Sequence, residues 1–333
     1  VLELDDIAAV ESRGEERVTL RLRSGLQVDL RYFDRAAFGA ALHYFTGSRA
    51  HNVATRRRAR ERGWKLNEYG LFKGKRRLAG RTEQALYGRL GLDWIPPELR
   101  EDRGELAAAA AGELPRLVQP GDIRGDLQCH TTASDGRHSI RDMAEAARAL
   151  GHQYLAITDH SRRVTMAGGL DDDEALRHAE AIREVDRQLD DLWLLAGIEV
   201  DVLRSGALDL KRRTLEQLDW VLAAMHYDLG LGRDRMTRRL VAAIESGVVH
   251  AIAHPLNRMI GQRGPVELDL DAVLEACADN GVRLEINAHP ERLDLPDTHC
   301  QQVLAGGVGF CMGTDAHRRA ELELMRFGVD VAR

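Results

Sequence analysis

Nowhere in these 333 residues does an apolar run exceed the length of a strand. Stretches such as Val248 to Ala253 and Val308 to Met312 fall far short of the roughly 20 residues a membrane helix needs, so no membrane span is expected. Cysteine is scarce as well: Cys129, Cys277, Cys300 and Cys311 show no CxxC spacing, which argues against a disulfide framework or a zinc ribbon. No charged-then-apolar leader with a small-residue cleavage site opens the chain, so secretion is not expected and a reducing cytoplasm fits. The sequence starts at Val1 inside what reads as a folded segment, as a piece of a longer protein would. With 44% hydrophobic and 30% charged residues it can bury ordinary cores, and its length suits two domains.

The net charge of −6 is unevenly spread: residues 1–120 carry 22 Lys+Arg against 17 Asp+Glu, and residues 121–333 carry 25 against 36. The basic part includes Arg56-Arg57-Arg58, Arg60, Arg62, Lys73, Lys75, Arg76, Arg77 and Arg81. Such a cluster attracts phosphates by charge and counterion release, although a solvated helix face explains it equally well. Alternation at Val18, Leu20, Leu22 and then Leu26, Val28, Leu30 around Ser24-Gly25 predicts a hairpin. Helices are expected over 35–45 and 48–63, then a short hairpin over 66–75, making residues 1–92 a small α+β region. Residues 93–121, with Pro96-Pro97, the alanine run 107–111, Pro115 and Pro120, read as a linker bearing one short helix.

From residue 122 onward, strands near 125–129, 153–158, 192–200, 219–225, 249–253, 282–287 and 308–312 alternate with helical segments. Strict alternation implies right-handed crossovers and a parallel sheet, which seven strands can close into a distorted barrel. Each strand ends in residues of metal-ligand type: His130, Asp159-His160, Glu199, His226, His254, Asn287 with His289, and Asp315 with His317. Parallel strands point their carboxyl ends one way, so these side chains converge at one mouth. Catalytic ions need three or more nitrogen or oxygen donors, and paired ions stabilise both the attacking and leaving oxygens of a phosphate displacement. Phosphoester hydrolysis is therefore the expected chemistry. His152, His178, His250 and His299 fall on helices or strand starts and are read as structural, while Arg292 and His138 near the rim are candidates to hold a phosphate.

The motifs Gln128-Cys129-His130-Thr131-Thr132, Ser134-Asp135-Gly136, Thr158-Asp159-His160-Ser161, Gly197-Ile198-Glu199-Val200, Met225-His226, Ala253-His254-Pro255, Glu285-Ile286-Asn287 and Thr314-Asp315-Ala316-His317 resemble the polymerase-and-histidinol-phosphatase (PHP) superfamily. The resemblance covers nearly all of residues 122–333 and implies an α/β distorted (β/α)7 TIM-like barrel with a trinuclear site of Mn2+ or Zn2+. It implies that Gln128, His130, Glu199 and Asp315 surround one ion, Glu199, His226 and His254 a second, and Asp135, His160 and His317 a third. Glu199, His226 and Asp315 would then be central to catalysis, and Asp159 would orient a ligand histidine or a bound water. Gln128 stands where this family usually has a histidine; a neutral amide oxygen is a weaker donor, so loose occupancy of the first ion is expected.

Earlier in the chain, Val28-Asp29-Leu30-Arg31, Tyr44-Phe45-Thr46-Gly47-Ser48, Asn52, Arg56 and Leu66-Asn67-Glu68-Tyr69-Gly70 resemble the end of the palm and the thumb of family X DNA polymerases, and Leu90 to Glu105 resembles the junction to PHP in the bacterial enzymes. This implies that Asp29 is the third palm carboxylate, that Tyr44, Phe45 and Gly47 floor a nucleotide sugar, and that Asn52 and Arg56 reach the base edge and the template. The implied function is DNA repair: a PHP 3′→5′ exonuclease acting on gapped or 3′-recessed DNA, in a probable-monomer architecture without membrane contact. Nucleotidyl transfer with Mg2+ or Mn2+ and deoxynucleotides needs paired carboxylates ahead of Asp29. No Gly-Ser followed by Asp-x-Asp precedes it, so polymerisation is expected only of a longer parent chain. Two rival readings stay open, a small-molecule phosphate monoesterase of the histidinol-phosphatase type and a decayed barrel that braces the polymerase.

Overall fold

The computed structural model describes residues 5–333, which divide into two compact units meeting between Arg116 and Leu117. In the first unit β1 (Ile7–Arg13), β2 (Arg17–Leu22) and β3 (Gln27–Arg31) form an antiparallel sheet, with Leu20 opposite Val28 as the hairpin pattern requires. There follow α1 (Phe38–Thr46), α2 (Arg49–Glu61), the antiparallel strands β4 (Lys65–Asn67), β5 (Gly70–Lys73) and β6 (Arg76–Ala79), then α3 (Glu83–Arg89) and α4 (Glu105–Ala111). Ser48 caps α2 by accepting the His51 N–H at 3.3 Å, and Gly63 takes the left-handed conformation (φ 68°) just past its end.

The expected linker over 93–121 is corrected by this arrangement. Ile95 and Ala109 are fully or nearly fully buried with Leu66, Leu71, Leu86 and Tyr87, and Leu99, Leu106 and Leu114 pack onto the same core. Most of that segment is thus an integral layer of the first unit. Its proline and alanine content looked like a tether because the apolar residues that anchor it are spaced too irregularly to show a period.

The second unit alternates β7 (Gly125–Cys129), α5 (Ile140–Ala149), β8 (Tyr154–Ile157), α6 (Asp172–Asp186), β9 (Trp193–Asp201), α7 (Arg212–Leu215), β10 (Trp220–Ala224), α8 (Arg233–Ile244), β11 (Ala251–Ile252), α9 (Leu270–Asn280), β12 (Arg283–Asn287), α10 (Asp297–Ala305), β13 (Phe310–Gly313) and α11 (Met325–Ala332). The seven strands lie side by side in sequence order and pair in parallel. The ring closes where the Asp315 N–H donates to Gln128 O at 3.0 Å and the His130 N–H to Ala316 O at 2.8 Å. Reciprocal caps at Ser139/Asp142 and Asp171/Glu174 start α5 and α6.

Along β10 the side chains divide with a period of two. Val221 and Ala223 pack outward against the helices, whereas Trp220, Leu222 and Ala224 face inward with Ala156, Ala251, Ala253 and Cys311. The small inward residues let seven strands close tightly, and the Trp220 indole N–H is satisfied by Leu127 O at 3.0 Å. Above this filled interior the strand ends carry the polar residues. Leu222 is fully buried in the barrel interior. Its replacement by Ala is expected to lower the unfolding free energy of the second unit by about 2–5 kcal/mol, measured by denaturant titration with tryptophan emission.

Candidate metal centre

The strand ends bring one carboxylate to the middle of an imidazole cluster. Glu199, at the end of β9 and fully buried, has Oε1 2.9 Å from His254 Nε2 and 3.4 Å from His226 Nε2. Its Oε2 lies 3.0 Å from His160 Nδ1 and 3.6 Å from His130 Nε2. His130 Nε2 also reaches Asp315 Oδ1 at 3.1 Å. Toward the mouth, Asp135 Oδ1 stands 3.3 Å from His317 Nε2 and 3.7 Å from His160 Nε2. The rings of His160 and His317 both stack against His130, with centroids 4.4 and 4.2 Å away.

Three overlapping groups have all their donor atoms within 4.8 Å of one another: His130, Asp135, His160 and His317; His160, Glu199 and His226; and His130, Glu199 and Asp315. His160 Nδ1 and Glu199 Oε2 are close but lack hydrogen-bond alignment, and each is buried without such a partner. Nitrogen and oxygen donors gathered this closely suit a divalent cation. So does the charge: Glu199, Asp201 and Asp315 are buried at the cluster, and burying carboxylates together is costly without cations among them.

Buried acids also hold the ligand-type side chains in place. Asp201 Oδ1 takes both the His226 N–H and Nδ1 at 3.0 and 3.1 Å, which leaves Nε2 for the centre. Glu285 Oε2 accepts the His254 N–H at 2.8 Å. Asp126 accepts the N–H and hydroxyl of Thr314 beside Asp315. These anchors support backbone conformations that side chains rarely adopt, since His254 and Asp315 have φ of 27° and 57°.

Asp159 corrects an expectation, for it grips the loop after β7 instead of a ligand histidine. Its Oδ1 accepts the Thr131 N–H at 2.8 Å and the Ser134 hydroxyl at 2.6 Å, and its Oδ2 accepts the Thr131 hydroxyl at 2.7 Å. His178, expected to be merely structural, reaches the same Oδ2 at 2.8 Å from α6. It thereby braces the loop that presents Asp135. A lone histidine on a helix carries no sequence signal for this. Asp201 was missed too, although its place two residues beyond Glu199 on one strand, and so on the same face, was a signal that could have found it.

Gln128 Oε1 is 3.2 Å from Asn287 Nδ2, which also donates to Asp315 Oδ2 at 3.2 Å and lies 3.3 Å from Glu285 Oε2. Gln128 and Asn287 thus form a layer beneath Asp315. Arg292 lines the cavity with its Nε 3.2 Å from Asp315 Oδ2. His138 instead accepts the Arg319 N–H at 3.4 Å, and His289 Nδ1 the Glu291 N–H at 3.3 Å.

Burial opposes charge throughout, yet neighbours decide the outcome. Glu199 is desolvated, but His160 and His226 hold its carboxyl well below the usual range. His226 is pushed up to about 10, because Glu199 and Asp201 outweigh desolvation. His317 is likewise raised to about 9 by Asp135 and Asp315 against burial. His254, where burial dominates, falls to about 4 and stays neutral.

Comparison with known proteins agrees with this architecture. The DNA polymerase beta thumb family matches residues 41–101 and the PHP domain family residues 126–289. The DNA polymerase/3′-5′ exonuclease PolX of Bacillus subtilis is 36% identical over 337 aligned residues, covering 100% of this chain and 59% of that protein. The probable phosphatase YcdX of Escherichia coli K12 is 32% identical over 206 residues, 58% of this chain and 78% of that protein. A solved structure of histidinol phosphate phosphatase from Lactococcus lactis covers 63% of this chain and 93% of its own, at 15% identity and a TM-score of 0.47. The chain joins a thumb of the family X DNA polymerases to a PHP domain.

In this family X chain the polymerase-like residues all lie in the first unit. Asp29 on β3 accepts from Arg17 at 3.0 Å and from the Thr19 hydroxyl at 2.6 Å, and these bonds lower its pKa. Arg31, two residues on and hence on the same strand face, covers the ring of Phe45 at 5.1 Å. Phe45 is half exposed and meets Tyr44 edge-on at 4.9 Å. The Arg56 guanidinium sits 5.0 Å over Tyr44. Asn52 donates its amide to Tyr44 O at 2.8 Å, so in this structure it ties α2 to the end of α1, just ahead of Gly47.

Two outcomes are expected. In the metal-free protein near pH 7.5, His226 and His317 are protonated, so loading divalent ions should release a proton from each and apparent affinity should rise as pH increases toward 9; calorimetry in buffers of different ionisation enthalpy measures this. Replacing His178 by Ala should weaken Mn2+ binding about 10- to 100-fold while leaving the far-ultraviolet circular dichroism unchanged.

Proposed function

We propose that the second unit is a metal-dependent phosphodiesterase that trims DNA from 3′ ends, and that the first unit holds the DNA. The observation that carries this reading is the sharing of Glu199 by His130, His160, His226 and His254 beside the Asp315–Arg292 pair, at the floor of a cavity of about 370 Å3. Bound Mn2+ or Zn2+ would supply Lewis acidity and an activated water there. The ions would be held by His130, Asp135, His160, Glu199, His226, His254, Asp315 and His317. Gln128, whose oxygen is turned to Asn287, would contribute to the first ion only weakly.

The chain's own residues prepare the phosphate site. Glu199 remains ionised and orients four imidazoles through its two oxygens. Arg292, fixed against Asp315, offers guanidinium N–H groups to a phosphate oxygen and favours the growing negative charge of the displacement. Similarity to the Bacillus subtilis protein along the whole chain, together with the thumb match, favours DNA over a small metabolite ester as substrate. The chain spans 59% of that relative, so polymerisation with Asp29, Mg2+ or Mn2+ and deoxynucleotides is proposed only for a longer parent that supplies the paired carboxylates. A cytoplasmic DNA-repair setting accords with this reading; among the described residues no helix is long and apolar enough to cross a membrane.

The test is release of mononucleotides from a 3′-recessed duplex by the Mn2+-loaded chain, run beside hydrolysis of a sugar phosphate. Glu199→Gln and His226→Ala should each lower oligonucleotide cleavage by about 100-fold or more, since each disturbs an ion directly. Preference for the sugar phosphate, or cleavage unaffected by both substitutions, would overturn the assignment. Elemental analysis after gel filtration should find fewer than three tightly held zinc ions per chain.

A further inference from the structure

The cavity over the metal centre is chemically mixed. Its lining joins ligand-type and charged groups, among them Arg292 and Asp315, to the apolar and aromatic side chains of Val164, Met166, Ala167 and Tyr227. Met166 is 94% exposed, whereas Val164 and Ala167 beside it are 8% and 7% exposed. It is the most exposed of the large hydrophobic side chains among the described residues, and it stands at the lip of the cavity rather than on a remote surface.

The lip is held rigidly. Met166 sits in a short 3-10 turn, Thr165–Ala167, between Arg163 and Gly169. The Leu170 N–H donates to His160 O at 2.8 Å, and the Arg163 N–H to Asp209 Oδ2 at 2.7 Å. Gly169 passes so close to Ser161 that a Cβ there would lie 1.9 Å from the Ser161 carbonyl oxygen. Tyr227 is fixed from the same segment, for the Arg163 guanidinium lies 5.2 Å over its ring and bonds Asp228 at 3.1 Å. The exposed Met166 thioether and the half-buried Tyr227 phenol ring thus put polarisable groups on the lining of the cavity that also holds Arg292. The π-face of a purine or pyrimidine matches that surface, and a polyol does not.

We propose that Met166 and Tyr227 form a nucleobase subsite, so that the base of the nucleotide being released rests on the lip while its phosphate lies at the metal centre. This rests on the hydrolase reading above and narrows its substrate class to esters that carry a base next to the scissile phosphate. Met166 needs no partner within the protein, so its replacement leaves the fold intact.

The experiment uses the full Mn2+-loaded chain with two short oligonucleotides that differ only in whether the 3′-terminal residue keeps its base. The intact one should show the lower KM. Met166→Ala should raise that KM about 3- to 10-fold, leave the abasic substrate unchanged and alter kcat by less than about twofold. Tyr227→Leu should act the same way. Equal KM values for the two substrates in the parent protein, or an equal effect of Met166→Ala on both, would overturn the subsite. Calorimetric binding of deoxyadenosine 5′-monophosphate against deoxyribose 5-phosphate separates the two levels of inference. A base-dependent affinity that Met166→Ala abolishes supports the subsite even if no oligonucleotide is cleaved, in which case the exonuclease reading fails alone. Binding that ignores the base overturns the subsite while leaving cleavage to be judged by Glu199→Gln.

Discussion

A fully buried carboxylate sits at the centre of this protein, and its two oxygens are divided among four histidines from four different strand ends. Glu199 is stable there as an anion only because imidazoles surround it, and those imidazoles converge only because seven parallel strands end at one rim. The rest of the second unit follows from that requirement. Small inward residues such as Ala156, Ala224, Ala251 and Ala253 let the barrel close, and Asp201, Glu285 and Asp126 pin the backbone at the very strand ends where His226, His254 and Asp315 project. Glu199, Asp135 and Asp315, set among the imidazoles, make this mouth favourable for divalent cations.

The same principle of borrowed support explains the positions away from the cluster. The Asp159 carboxylate collects four donors of the β7–α5 loop and one histidine of α6 rather than a ligand histidine, so the placement of Asp135 depends on a helix outside the barrel. Gly136 belongs to this arrangement, because a Cβ there would lie 2.5 Å from the main chain of His130. In the first unit, Arg56 over Tyr44 and Arg31 over Phe45 hold an aromatic step against basic side chains, a surface suited to stacked bases and phosphates.

Much of this was readable beforehand. The strand-and-ligand rhythm from His130 to His317 predicted the barrel, since alternation is a local property and the direction of a parallel strand end follows from chain order. The Arg-rich helix at 48–63 and the hairpin about Ser24-Gly25 were likewise local. Residues 93–114 were misread as a linker because their anchors, Ile95, Leu99, Leu106 and Ala109, follow no helix or strand period. His178 was read as structural and is a brace, but nothing adjacent to it in sequence hints that Asp159 is its partner, and of the two roles expected of Asp159 the orienting of a ligand histidine gives way to loop donors.

By itself, then, the order of residues determined which groups reach the rim, because backbone periodicity and crossover handedness act over a few residues at a time. Which oxygen faces which nitrogen was decided only when the ring closed between Gln128 and Asp315, since that closure brings together groups separated by nearly the whole length of the second unit. Gln128 illustrates the division: its position beneath the centre follows from β7, but the choice of Asn287 as its partner rests on contacts that exist only across the finished barrel.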